Sequence, residues 1–127
     1  MTNINDPAVV AQLTDLYLEY EKALCTNDVA TLNHLFWDSP EAVRFGITEN
    51  LYGNTQITAF RQARSPVNIE REIFNLKVVT FDSDTAAVTV EFRRFVDTTR
   101  LGRQSQMWRK LPEGWKIVSA HVSYLQA

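Results

Sequence analysis

Cysteine is almost missing from this chain of 127 residues. Cys25 stands alone, so no internal disulfide can form, and neither of the two histidines lies near it with zinc-site spacing. A reducing compartment is therefore expected. Charge of one sign is also scarce: the formal net charge of -2 offers no bulk attraction to nucleic acid or to an anionic membrane, and no local basic run supplies one. Long apolar runs are lacking too. No stretch reaches the ~18 residues of a membrane helix, and the opening MTNINDPAVV has no basic segment leading into an apolar one, so a secretory leader is not expected. Repeats, linkers and low-complexity segments do not occur. These absences leave one cytoplasmic domain over residues 1–127, with no nucleic-acid or membrane partner and with length for a single core.

The first half reads as helix. Asp6 followed by Pro7 is an N-cap with proline at the first helical position, and Val10, Leu13, Leu16/Tyr17, Tyr20 and Leu24 recur at helical spacing. Tyr20 falls on the buried stripe, so its hydroxyl needs a partner; a core tyrosine tied to a backbone carbonyl and a functional phenol are both open readings. Asn27-Asp28 ends this helix and caps a second over Val29 to Phe36. After Asp38-Ser39-Pro40, the segment AVRFG predicts a brief strand with Val43 and Phe45 on one side and Arg44 on the other. Arg44 is an anion receptor if it points into a cavity and a solvated charge if it does not. ENLYGN predicts a turn around Gly53, and TQITAFRQA predicts a third helix over Thr55 to Ala63, with Ile57 and Phe60 inside and Arg61 and Arg64 serving the helix dipole.

The second half reads as strand: Glu72 to Phe81, a turn at Asp82-Ser83-Asp84, then Thr85 to Val96 with Val88, Val90, Phe92 and Arg94 on one face. Glu91 and Arg93, opposite them, suit a cross-strand charge ladder. Thr98-Thr99-Arg100 links to a closing hairpin from Arg103 to Ser123, with Pro112-Glu113-Gly114 as a three-residue loop. That loop sets Leu111 against Trp115, Met107 against Ser119, Ser105 against His121 and Arg103 against Ser123. Gln104, Gln106 and Trp108 then share the greasier face with Val118, Ala120 and Val122. Two amides on such a face need polar company, because a buried amide without a partner costs roughly 1–3 kcal/mol.

Helices followed by strands predict an α+β fold, with helices on one face of a curved antiparallel sheet. Such a sheet leaves a hollow under the first helix, into which Tyr20, Arg44, Gln104 and Gln106 can all point. The far face, with Ser105, Met107, Ile117, Ser119 and His121, is too apolar for plain solvent and suits a homodimer interface.

The strings INDPAVVAQL, LYLEYEKAL, VRFG, ENLYG, GRQSQ and WKIVSAHVS together resemble the AtzH-like family, which includes the oxalurate catabolism protein HpxZ. That family lies within the cone-shaped nuclear transport factor two-like superfamily, also called SnoaL-like or cystatin-like. The resemblance implies a small cytoplasmic dimer working beside an amidase in ureido-compound breakdown. For one branch it implies decarboxylation of 1,3-dicarboxyurea to allophanate without metal or organic cofactor. It also implies that Tyr20 in EYEKAL and Arg44 in VRFG serve the active site.

On this reading Arg44 grips a substrate carboxylate and Tyr20 donates a proton to the departing nitrogen. Gln104 and Gln106 read the ureido carbonyl and N–H groups, while Trp108 walls the pocket against water. Two other readings compete. The cone can be a binding module for an acidic metabolite or for its amidase partner. Alternatively, His121 can act as the base of a dehydratase or isomerase, although the register puts it on the face opposite Gln106, and only a β-bulge would swap it across. Cys25, at a helix C-terminus where the dipole raises a thiol pKa, is read as an apolar packing group.

Overall fold

A computed structural model describes residues 3–126. Helix α1 runs Pro7–Thr26, capped by the Asp6 carboxylate on the Ala8 N–H and closed by Asn27 in the left-handed conformation. Asp28 caps α2, Val29–Leu35, through the Thr31 N–H. Strands β1 (Val43–Phe45) and β2 (Asn50–Tyr52) precede helix α3 (Gly53–Ala63). Four long strands follow: β3 (Arg71–Phe81), β4 (Thr85–Arg94), β5 (Asp97–Leu111) and β6 (Gly114–Tyr124). The sheet order is β2-β1-β6-β5-β4-β3. This is the expected α+β arrangement of N-terminal helices followed by a sheet.

The sheet is mixed rather than wholly antiparallel, because β1 joins the edge of β6 in parallel. Two local expectations also change. The ENLYGN segment contains β2, paired with β1, and only Gly53, at a φ of 84°, turns the chain into α3. Residues Thr98 to Arg100 belong to β5, which begins at Asp97.

The closing hairpin departs from expectation at its turn. Its loop is two residues, Pro112-Glu113, so Leu111 pairs with Gly114 and Lys110 with Trp115. Three residues further along β6 the register slips: Trp108 pairs with Ile117 but Met107 pairs with Ser119, leaving Val118 as the extra residue of a β-bulge. The short loop and the bulge cancel, so Ser105 still faces His121 and Arg103 still faces Ser123. Ile117, by contrast, crosses from the far face to the core, where it is fully buried. The bulge leaves His121 on the far face, exposed.

Leu13, Tyr17, Tyr20 and Leu24 from α1, Leu32 and Leu35 from α2, and Val88, Val90, Trp108 and Ile117 from the sheet form one core. Helix α1 packs on α2 and β3, and α2 on β6. Further register shifts at Phe74/Lys77 and Phe92/Arg94 bend the sheet. Its helix-covered side is closed toward the β5–β6 turn and opens at the other end of that hairpin, near Gly102, Gln104 and Val122.

Because the bulge and not simple alternation places Ile117, Ile117→Ala should destabilise the protein by about 2–5 kcal/mol. Ser119→Ala, two residues on, should stay within about 0.5 kcal/mol. Chemical denaturation of the two variants checks the pair.

Candidate functional site

A cleft of about 330 Å³ opens between α1, α3, the β1–β2 loop and the sheet. Its wall carries Arg44, Arg64, Arg71, Arg94 and Arg100 against one carboxylate, Glu49, with Gln104 on the floor. Leu24, Ile47, Phe60, Ile69, Phe92 and Val122 provide its apolar surface. Five guanidinium groups and one carboxylate in so small a space make it a receptor for anions.

Each arginine is held by identifiable contacts. Arg44, only 3% exposed, reaches Glu49 Oε1 at 3.2 Å, and its Nε has no partner among the described residues. Glu49 folds across Gly46 to make this contact; a Cβ on Gly46 would overlap the carboxylate. Arg44 and Arg64 both lie over the Phe60 ring, with their guanidinium carbons 5.4 and 5.3 Å from its centroid. Burial, together with the charges of Arg44 and Arg61, pushes the Arg64 guanidinium down to about 10.

Arg71 is the best-tied of the set. Its Nε donates to Glu21 Oε2 and its terminal nitrogen to Glu21 Oε1, both at 2.8 Å, in a bidentate fork. The same terminal nitrogen donates to Gln104 Oε1 at 2.9 Å, and the guanidinium stacks 4.3 Å from the Phe92 centroid. Tyr17 completes the cluster by donating to Glu21 Oε1 at 3.0 Å. Burial would raise the Glu21 pKa, but the Arg71 hydrogen bonds and charge outweigh it, so the carboxyl is held below its usual range. Because the Gln104 carbonyl is occupied by Arg71, its amide nitrogen, buried and without a partner among the described residues, is left as a donor at the floor of the cleft.

Behind this wall lies Tyr20, fully buried and not among the described residues that line the cleft. Burial alone would raise its pKa; the charges of Arg61, Arg44 and Arg71 reverse the sign and hold the phenol below its ordinary range. Arg61, also fully buried, stacks 4.9 Å from the Phe36 centroid, and none of its three nitrogens has a hydrogen-bond partner among the described residues.

The expected site residues therefore separate into layers. Arg44 and Gln104 share the cleft, and Tyr20 stands one layer behind it. Gln106 and Trp108 lie deeper still: Trp108 is fully buried in the core and donates through Nε1 to Gln106 Oε1 at 2.9 Å. Trp108 is thus not a cleft wall, and Gln106 does not face the cleft. The reason is strand geometry, since each pair of residues along β5 advances about 7 Å toward the closed end. His121 stands on the far face, its ring edge-on to Phe45. Burial and the nearby Glu21 raise the Cys25 thiol.

Sequence reasoning missed three functional side chains, and for each a signal existed. Arg61 continues the i, i+3, i+4 stripe of Ile57 and Phe60, so it points inward rather than serving the helix dipole from the surface. Glu21 sits beside Tyr20 and four residues after Tyr17, on the same buried stripe. Arg71 shares strand parity with the inward-leaning Ile73.

A model of the AtzH-like family matches residues 2–127. The chain belongs to the AtzH-like family. Among solved structures it is similar to a protein of unknown function from Pectobacterium atrosepticum, with 46% identity, 97% of this chain and 95% of that one covered, and a TM-score of 0.94. It is also similar to a cystatin-like fold protein from Burkholderia xenovorans, with 43% identity, coverage of 100% and 99%, and a TM-score of 0.93. A nuclear transport factor 2-like superfamily protein from Salmonella enterica shares the fold at 22% identity, coverage of 95% and 94%, and a TM-score of 0.77. No curated protein matches this AtzH-like chain. No helix among the described residues is long and apolar enough to cross a membrane.

The sign of the Glu21 effect follows from its lowered pKa. Its stabilising contribution is full above the ordinary glutamate pKa of about 4.3 and disappears as pH falls through the lower folded-state value. Glu21→Gln strips Arg71 of its counter-charge and should cost about 3–5 kcal/mol near neutral pH. Denaturation curves from pH 7 downward should show the gap between variant and parent narrowing below about pH 4.

Proposed function

We propose that this AtzH-like protein binds a small dicarboxylated ureido or carbamate compound in the arginine-lined cleft and promotes its loss of carbon dioxide without a cofactor. The carrying observation is the set of buried donors with no acceptor among the described residues: Arg44 Nε, a terminal nitrogen of Arg64, and the Gln104 amide nitrogen. Carboxylate and carbonyl oxygens satisfy all three. The retained carboxylate takes Arg44 and Arg64, displacing Glu49, and the ureido carbonyl takes Gln104. The leaving carboxylate lies toward the apolar side chains, where fewer charges stabilise it before reaction. N-carboxylated ureas lose carbon dioxide readily once the departing nitrogen is protonated, so orientation and one acid suffice.

Tyr20 is that acid. Substrate binding has to bring its hydroxyl within reach of the nitrogen, past Arg44; hydrogen bonds of this kind tighten in the bound complex. A dicarboxyurea or an oxalurate-pathway acid fits the description, and an amidase acting on the product is the natural partner. One observation favours a second reading, a metabolite-binding module without turnover: the Tyr20 hydroxyl is sealed off from the cleft.

Kinetics on a dicarboxyurea separates the readings. Tyr20→Phe should lower turnover by about 10²-fold or more, whereas Arg44→Ala should chiefly raise KM. A binding module would instead show thermal stabilisation by the ureido acid with no carbon dioxide released from the parent protein. Equal rates in parent and both variants would overturn the assignment.

The far face of the sheet also supports self-association. Val43, Phe45, Ala87, Met107 and His121 line a shallow apolar groove there, and Met107 is 41% exposed. We propose that a second copy covers it. Light scattering should give a dimer mass, and Met107→Glu should give a monomer with the cleft's anion affinity retained.

A further inference from the structure

Arg61 has no task in the binding scheme above. It stands behind the cleft, fully buried, with no carboxylate paired to it among the described residues: Glu49 is engaged by Arg44 and Glu21 by Arg71. Its guanidinium lies over the Phe36 ring, and that ring in turn packs against Tyr20 at 6.3 Å between centroids. The edges of the guanidinium, where its N–H donors lie, have no protein acceptor among the described residues. A buried cation with idle donors needs an anion, and the group able to become one that shares the Phe36 ring with Arg61, and whose charge it feels, is the Tyr20 hydroxyl.

We propose that Arg61 is a positioning residue, the fixed counter-charge that receives the phenolate Tyr20 becomes when it gives up its proton. The inference rests on the decarboxylation reading and adds to it the destination of the charge. In the step, the Tyr20 O–H bond breaks and an N–H bond forms on the departing nitrogen. The C–N bonding pair stays with that nitrogen, and the carboxylate leaves as carbon dioxide. One negative charge enters on the substrate carboxylate and one remains on the phenolate oxygen, so negative charge moves from the cleft toward Arg61. A donor set already in place at the point of arrival lowers the barrier without reorganisation. Water then returns the proton to Tyr20, and the hydroxide left behind adds to the released carbon dioxide as bicarbonate.

The charged and titratable groups facing Tyr20 agree with this assignment. Arg61 approaches from α3, Arg44 from β1 and Arg71 from β3, with Tyr17 on α1 alongside, and the three cations together hold the phenol below the ordinary tyrosine range. Of the three, Arg61 is the one with no carboxylate partner among the described residues.

The test reads the phenol directly and needs no turnover. Titration of the full-length protein, followed by the near-ultraviolet absorbance of tyrosinate, should show one of its four tyrosines ionising clearly below the usual value of about 10. Tyr20→Phe should abolish that step. Arg61→Met should move its midpoint up by about 1–3 pH units, the effect of losing one adjacent charge, and Arg61→Lys should restore most of the difference. Should the Arg61 variants fail to fold, malonate supplies a second measurement on the parent protein: an anion bound at Arg44 and Arg64 should raise the midpoint. The proposal is overturned if parent and Tyr20→Phe titrate alike below pH 10, if Arg61→Met leaves the midpoint in place, or if saturating malonate does so. A low midpoint that follows Arg61 in a protein that releases no carbon dioxide would keep the counter-charge and remove the decarboxylase reading.

Discussion

Positive charge packed into a low-dielectric space is the constraint around which this protein is arranged. Arg44, Arg61, Arg64 and Arg71 are gathered where water is largely excluded, and two carboxylates answer them. Removing a guanidinium from water costs several kcal/mol even after relaxation, so the surrounding structure has to compensate. It does so with aromatic faces at Phe36, Phe60 and Phe92, and with the Glu21 fork. The compensation is incomplete, and the remaining unpaired donors give the cleft its chemistry.

The cluster divides into a half whose hydrogen bonds are largely satisfied and a half whose donors are not. On the β3 side, Glu21, Tyr17, Arg71 and Gln104 form a closed network in which nearly every donor has an acceptor, and that network orients the Gln104 amide. On the α3 side, Arg61 and Arg64 have donors with no acceptor among the described residues. A rigid, satisfied network beside an unsatisfied one is how a binding site holds its shape while remaining hungry for a ligand. Glu49 stands between the halves, half-buried on a short loop and paired with Arg44 at 3.2 Å. An incoming carboxylate can replace it, because the exchange trades one anion for another.

Much of this was legible before any fold was known. The helix stripe that buries Tyr20, the caps at Asp6 and Asp28, the strand around Arg44 and the paired amides of β5 were all readable from spacing and turn chemistry. Two kinds of feature were not. Local periodicity could not show that the β5–β6 loop holds two residues and that a bulge at Val118 restores the register, because both devices are set by how the hairpin twists onto α2. Nor could a single segment show the roles of Arg61, Glu21 and Arg71: spacing turns each of them inward, but the groups each one meets come from other elements.

The sequence by itself determined the class of fold, the inward face of each element, and the presence of a phenol, a guanidinium and an amide able to meet. Those properties are local: they follow from capping, from the periods of 3.6 and 2, and from the need to bury apolar side chains. Only the tertiary structure decided which of these groups share a cleft, which stand behind it, and which charges have no partner. Depth along a strand and the balance of buried charge depend on side chains from α1, β1, α3 and β3 at once, and no stretch of sequence contains that sum.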